Sequence, residues 1–181
     1  DGFVEYSRAT DTGLINQGWK DSEDSVLHAD GRLAEPPIAL CEVQAYVYEA
    51  KKQASRLARE LGKLQTAERL AQEAKQLRER FYKAFWQPEL GTYALALDGN
   101  KEPCRVVTSN AGHTLFTGLA AEEHAGQVVR SLMDRTSFIE WGIRTVASGQ
   151  AWYYPMSYHN VSVWPHDNAM IAVGLARYGL K

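Results

Sequence analysis

Apolar residues recur at steps of three and four over residues 38–61, and this spacing predicts a long amphipathic helix. Pro36 and Pro37 precede the segment and Gly62 follows it, which is typical of a helix start and stop. The side chains predicted to form its apolar face are Leu40, Val43, Val47, Ala50, Ala54, Leu57 and Leu61. The same period predicts a second helix over residues 66–86, and only residues 63–65 separate the two. We therefore expect an antiparallel helical hairpin.

The period changes after residue 91. Residues 92–97 read as a strand, residues 98–100 as a turn and residues 105–107 as a return strand. Helical patterns resume over residues 110–120 and 122–133, which predicts a second helical hairpin. A long loop rich in Trp, Tyr, Gly and Pro follows over residues 135–165, and a last helix is predicted over 167–178. The predicted fold class is all-α, with about five helices in antiparallel hairpins and a small β-hairpin in a long loop.

The lengths of the connections predict where a site would lie. The links near residues 63–65 and 120–121 are short, whereas residues 1–36, 87–109 and 135–166 form long segments. In a stack of antiparallel hairpins, alternate links lie at the same end, so the long segments should gather at one end. Because long loops in compact domains are usually functional, we expect a cleft there.

The composition of the chain argues against nucleic acids and membranes as partners. A chain of 181 residues, 45% hydrophobic and with a net charge of -2, is typical of one soluble domain or a large piece of one. Neither a nucleic-acid groove nor an anionic membrane surface is expected, and no apolar run approaches the ~20 residues of a membrane span. Cys41 and Cys104 lie far apart and are predicted to be reduced, which favours a cytoplasmic setting.

Residues 17–22, with the sequence Gln-Gly-Trp-Lys-Asp-Ser, form the first segment that suggests chemistry. The indole of Trp19 offers an apolar plate to a sugar ring, and the carboxyl of Asp21 can protonate a glycosidic oxygen. Lys20 and Asp24 lie close enough in sequence to contact the same substrate. The alternative is a surface turn with an acidic N-cap and a half-buried Trp.

Residues 158–168 form a second dense segment, with His159 and His166 seven residues apart. A metal site would need three or more convergent ligands, and the His-Glu-x-x-His pattern is absent, so no metal is predicted. A Ser-His-Asp triad would lack the glycine-framed nucleophile turn. Asp167 or Asn168 can instead cap the last helix, which is compatible with a place in the cleft wall. Tyr158, His159 and Trp164 are the sugar-contact candidates here.

Further candidates come from three other segments. Trp141 and Arg144 lie in the long loop, where Arg144 could hold sugar hydroxyls and tune an acid or could tie the loop down through carbonyls. Asn110 and His113 lie at a helix start and could contact sugar or serve the cap. Gln44 lies at the cleft end of the first helix. No phosphate loop or dinucleotide fingerprint is present, so no cofactor is predicted.

Five collinear segments together resemble the amylo-alpha-1,6-glucosidase family of the glycogen-debranching type and the related mannosylglycerate-hydrolase-like glycosidases. They are residues 17–22, 37–44, 109–113, 141–145 and 157–168. The resemblance implies part of an (α/α)6 toroid that hydrolyses an oligosaccharide or polysaccharide with inversion. Asp21 matches the general acid of that family. The partner carboxylate, expected about 6.5–9.5 Å away, would be a Glu downstream of Lys181.

The resemblance also bears on the extent of the domain and on one departure from the family pattern. Six hairpins contain twelve helices, so residues 1–181 are expected to be a single partial catalytic domain, truncated at both ends, inactive alone and prone to self-association through uncovered apolar faces. Val161 stands where the family usually has Gly, which raises the question of whether a positive φ is needed there. The alternative function is a non-catalytic helical carbohydrate-binding or scaffold module of the same fold.

Overall fold

The computed structural model describes residues 2–180 and is mostly helical, as predicted. The helices in this part of the chain are α1 (Cys41–Glu60), α2 (Leu64–Phe85), α3 (Gly112–Thr117), α4 (Glu122–Met133) and α5 (Pro165–Arg177). A 3-10 turn over Ser109–Ala111 runs into α3. The two-residue strands are β1 (Ala39–Leu40), β2 (Trp86–Gln87), β3 (Thr92–Tyr93), β4 (Ala96–Leu97), β5 (Phe138–Ile139) and β6 (Gly142–Ile143).

Helices α1 and α2 form the predicted hairpin, but the predicted apolar face of α1 is buried only in its first half, where Leu40 is buried and Val43 and Val47 pack against the core. Leu57 and Leu61 are exposed, whereas the buried residues are Cys41, Glu42, Gln44, Ala45, Tyr48, Ser55 and Ala58. Helices α2 and α3 pack against this stripe of small and polar residues. The position of the neighbouring helices therefore decides the buried face, and hydrophobicity alone predicted only part of it.

Helix α3 packs against both α1 and α5, and small residues allow the close approach. A Cβ on Gly174 would lie 2.6 Å from the backbone nitrogen of Phe116, and one on Gly112 would lie 2.5 Å from Ile171. The helix is shorter than predicted because Gly118 adopts a left-handed φ of 72° and ends it. Helix α4 has the predicted bounds. Tyr46, His113 and Asp167 lie near the amino-terminal ends of α1, α3 and α5 and contact one another in turn, so these three ends meet on one side of the domain.

The strands pair differently from the predicted hairpin. β4 pairs antiparallel with β1, and β3 pairs antiparallel with β2. The chain after β4 does turn back, but it returns at residues 102–104 rather than 105–107, with the Cys104 amide donating to the Ala96 carbonyl at 2.8 Å. β1 extends the chain ahead of α1, so this helix begins at Cys41 and not at residue 38.

The long loop over residues 135–164 contains the β5–β6 hairpin, which was not predicted. Helix α5 begins at Pro165 with Trp164 as N-cap, so neither Asp167 nor Asn168 caps it. Val161 is buried and is not among the residues of the described chain with positive φ, so its position does not require glycine. Cys41 and Cys104 are free and buried, as predicted. None of the helices described is long and apolar enough to span a membrane.

Candidate active site

The amino-terminal ends of α1, α3 and α5 are joined by a chain of buried polar contacts. The Tyr46 hydroxyl, on α1, contacts Nδ1 of His113 on α3, and Nε2 of His113 lies 2.6 Å from Oδ1 of Asp167 on α5. His113 and Asp167 are almost fully buried. A carboxylate only accepts hydrogen bonds, so His113 donates through Nε2 and accepts at Nδ1 the hydrogen bond that the Tyr46 hydroxyl donates. Burial, with the charges of Glu42 and Asp167, raises the pKa of Tyr46, which keeps the phenol a donor.

Trp19 lies on this chain of contacts at the centre of an aromatic box. Its ring stacks on His113 with an interplanar angle of 7° and a centroid distance of 6.1 Å. His159, Trp164 and His166 meet it edge-on, His166 at 4.9 Å. Within residues 2–180, the Trp19 Nε1–H has no hydrogen-bond acceptor. The box therefore presents aromatic surface together with one unpaired donor.

Gly18 lets this segment approach α1. A Cβ there would lie 2.4 Å from Cδ1 of Leu40 and 3.3 Å from Oε1 of Glu42. Real Cβ contacts are not that short, so a side chain at this position would force either the buried Leu40 side chain of β1 or the segment itself to move. The Gly before Trp19 is thus explained by packing.

Lys20 is 3% exposed, and its ammonium has no hydrogen-bond partner among the described residues. Burial lowers its pKa from 10.5 to about 8, although the charges of Glu42 and Asp167 act in the opposite direction. One oxygen of each of these two carboxylates is also buried without a partner in the described chain. Buried polar groups are rarely left unpaired, so this concentration indicates a place for a polar ligand or for water.

Asp21 is the accessible carboxyl of the segment, with 53% of its side chain exposed. Its Oδ1 lies 3.8 Å from Nδ1 of His159. That nitrogen also lies 2.7 Å from the Ser22 hydroxyl and accepts from the Ser22 amide at 3.4 Å, so the ring proton lies on Nε2. Burial lowers the pKa of His159, an effect that Asp21 opposes, so the neighbour of Asp21 is a neutral imidazole at pH 7.

The loop over residues 157–164 is fastened to this segment. The Asn160 side-chain amide donates to the Asp24 carbonyl at 2.9 Å, and the Trp164 indole donates to the Tyr158 carbonyl at 3.1 Å. Tyr158 is 66% exposed and meets Trp164 edge-on at 4.9 Å. The structure thus brings Asp24, Tyr158 and Trp164 to one rim, although the contact made by Asp24 is through its backbone.

Trp141 lies at the tip of the β5–β6 hairpin and is 85% exposed. Asn168 clamps this hairpin to α5, because its Oδ1 accepts from the Ile143 amide at 2.7 Å and its Nδ2 donates to the Ile143 carbonyl at 3.0 Å. The Arg144 guanidinium lies over the Tyr153 ring at 5.8 Å. The observed contact of Arg144 is therefore with its own loop.

Gln44 and Asn110 are both buried. The Gln44 amide accepts from the Val4 amide and donates to the Val4 and Leu40 carbonyls, so it is occupied in holding the amino-terminal segment. Both amide atoms of Asn110 lack partners in residues 2–180, so Asn110 keeps the capacity to bind a ligand or water. Both residues were predicted as substrate-binding candidates, but only Asn110 has an amide without protein partners in the described chain.

Three residues of this site were not predicted as site residues. Glu42 and Tyr46 were not singled out, and Asp167 was considered only as a helix cap. The sequence does contain a signal for Glu42, which lies between Cys41 and Val43 in an otherwise apolar stretch. A carboxylate buried there would need a polar partner, and this predicts further polar groups nearby.

Comparison with known proteins was made at the levels of family, sequence and structure. Residues 4–181 match the model of the "mannosylglycerate hydrolase MGH1-like glycoside hydrolase domain". No curated protein sequence is significantly similar to the chain.

Two solved structures illustrate the likeness of fold. Neutral trehalase Nth1 from Saccharomyces cerevisiae superposes with a TM-score of 0.70 at 16% identity, over 88% of this chain and 31% of that one. The GH63 mannosylglycerate hydrolase from Thermus thermophilus, in complex with glucose, gives 0.65 at 22% identity, over 79% of this chain and 34% of that one. The chain thus spans about a third of the length of these structures.

Proposed function

The chain belongs to the mannosylglycerate hydrolase MGH1-like glycoside hydrolase family, and from this we propose that Asp21 is the general acid of a glycosidase in the complete protein. The observation that carries the proposal is the position of Asp21: an accessible carboxyl beside an aromatic box and a group of unpaired buried polar atoms. A pyranose ring alternates apolar C–H faces with hydroxyls, and this combination of surfaces complements both.

Two neighbours of Asp21 act in opposite directions on its role as a proton donor. An acid catalyst must hold its proton until the leaving oxygen needs it, so a neighbouring fixed cation would oppose the role. The imidazole next to Asp21 is neutral at pH 7 because it is buried, and Arg144 lies over Tyr153. Lys20 is adjacent in sequence and, with a pKa lowered by burial to about 8, still carries its proton at pH 7, so its charge opposes this role.

We further propose that hydrolysis proceeds with inversion at α-linked sugars, including α-1,6-linked branches. Inversion needs a second carboxylate about 6.5–9.5 Å from the acid to activate water. Following the resemblance of the motifs, we assign this role to a Glu beyond Lys181, and we expect residues 1–181 alone to be inactive. Motif resemblance supports the linkage, and family membership supports the reaction class.

The test is Asp21→Asn in the complete protein, with Glu23→Gln, an exposed neighbouring acid, as the matched control. Loss of a general acid should lower kcat/KM for an oligosaccharide by about 10²–10⁴-fold. It should have little effect on a glycosyl fluoride, whose leaving group needs no proton. The control should keep both activities.

Two results would reject the assignment. Full oligosaccharide activity in Asp21→Asn would exclude Asp21 as the acid. An equal loss on both substrates would indicate a structural role. Oligosaccharide binding by calorimetry without turnover by the unaltered protein would instead support the non-catalytic binding module.

A further inference from the structure

A second group of polar side chains lies where the turn over residues 28–32 meets the hairpin over residues 95–104. The turn is closed by the His28 amide, which donates to the Arg32 carbonyl at 2.8 Å. The hairpin is closed by Oδ1 of Asp98, which accepts from the Glu102 amide at 2.8 Å. His28, Asp98 and Cys104 are buried, and Glu102 is exposed. None of these side chains belongs to the site around Trp19.

The donor atoms of this group are close together. Nε2 of His28 lies 3.3 Å from Oδ2 of Asp98 and 3.9 Å from Sγ of Cys104. One ligand atom from each of His28, Asp98 and Glu102 can be chosen so that all three lie within 4.8 Å of one another. Ligand atoms at 2.0–2.3 Å from a tetrahedral ion are separated by about 3.3–3.7 Å. The distances from Nε2 of His28 to Asp98 and to Cys104 are near that spacing, whereas Sγ of Cys104 lies outside the group of three. Binding therefore requires Glu102 and Cys104 to move toward the ion, and Glu102 is free to do so because its side chain is exposed.

We propose that His28, Asp98, Glu102 and Cys104 bind one Zn²⁺ ion. The mixture of imidazole, thiol and carboxylate distinguishes this group from an acidic patch. Carboxylates alone suit Mg²⁺ or Ca²⁺, whereas nitrogen and sulfur donors select Zn²⁺ among the common divalent ions. A cavity of about 270 Å³ opens beside His28 and Glu102, and Asp30, Arg32 and Arg105 also line it.

The ion would have a structural role close to the candidate active site. His28 follows Asp21 by seven residues, and the hairpin that carries the other ligands also supplies β4, which pairs with β1 ahead of α1. Zinc would therefore cross-link the segment of Asp21 to the support of α1. A guanidinium at the rim, that of Arg32, lies 3.5 Å from Oε2 of Glu102 and balances part of the ligand charge.

The competing explanation is an ordinary His28–Asp98 pair with Glu102 held by Arg32. To separate the two, Zn²⁺ is titrated by calorimetry into the complete protein, freed of any histidine tag and reduced with a phosphine. We expect one Zn²⁺ per chain at this site. Glu102→Gln should raise the Kd for Zn²⁺ by at least about tenfold, since even mutation of residues that only hydrogen-bond to metal ligands weakens metal binding that much. Glu89→Gln, an equally exposed glutamate that lies near Arg105, should leave the Kd unchanged.

Cobalt provides an independent readout of the sulfur ligand. Co²⁺ in this site should show a thiolate-to-metal charge-transfer band, which Cys104→Ser removes and Cys41→Ser keeps. Absence of saturable binding, the same Kd in Glu102→Gln, or a band that persists in Cys104→Ser would overturn the proposal. Should Cys104→Ser fail to fold, Glu102→Gln decides alone, because Glu102 is exposed.

Discussion

Lys20→Met removes a buried cation and should change how stability depends on pH. Burial lowers the pKa of Lys20 from 10.5, the value expected in the unfolded chain, to about 8. Between these values the unfolded chain keeps a proton that the folded protein has released. Stability therefore rises with pH across this window, and the cost of burying the ammonium is fully present below about pH 8.

The size of the effect follows from the two pKa values. At 1.36 kcal/mol per pKa unit, the full difference corresponds to about 3 kcal/mol, of which about 2 kcal/mol falls between about pH 7.5 and pH 10. Methionine has a similar length and no charge, so the variant lacks this contribution. The free energy of unfolding of the original protein, minus that of Lys20→Met, should grow by about 2 kcal/mol over that interval.

Urea denaturation at several pH values measures this difference directly. Ionisation of tyrosines and cysteines affects both proteins and cancels in the difference. Lys75→Met is the control, because Lys75 is exposed on α2 and is solvated in both the folded and the unfolded protein. The free energy of unfolding of the original protein minus that of Lys75→Met should therefore stay constant with pH. If the free energy of unfolding of the original protein minus that of Lys20→Met stays constant or shrinks as the pH rises, the burial of Lys20 does not lower its pKa, and the reasoning is refuted.

Two further changes test the packing and the rim of the site. Gly18→Ala should destabilise by about 1–3 kcal/mol in urea denaturation, because its Cβ would meet Leu40 at 2.4 Å. The same change in a Leu40→Ala background should cost clearly less, and an equal cost would show that the contact is not the cause. Trp141→Ala should leave stability within about 0.5 kcal/mol, because the side chain is 85% exposed. In the complete protein it should raise KM for an oligosaccharide about fivefold at constant kcat, since stacking contributes about 1 kcal/mol, and an unchanged KM would place Trp141 outside the cleft.

The sequence predicted those elements whose signals are local. Helix α4 has the predicted bounds because its amphipathic period lies between two clear breaks. The buried face of α1 and the pairing of β4 with β1 depend on neighbours distant in sequence, which periodicity does not specify. The β5–β6 hairpin is held by Asn168 from α5, and no local pattern indicates that contact.

The candidate site shows the same division. The chemical character of residues 17–22 was readable, because an indole beside a carboxyl is a local feature. The burial of Lys20 and the contact of His113 with Asp167 were not, since they arise where three helices meet. Gln44 and Asn110 could not be told apart in the sequence, because the difference lies in whether backbone groups already occupy the amide.

The fastening of residues 17–25 has a consequence for protein engineering. Asn160 contacts Asp24 and His159 contacts Ser22 across more than 130 positions of sequence, and Gln44 holds the segment that precedes them. A short insert carrying only Trp19, Lys20 and Asp21 would lack all three anchors. Transplanting this acid into another helical scaffold therefore requires the supporting ends of α1 and α5 as well, and the smallest portable unit is most of the domain.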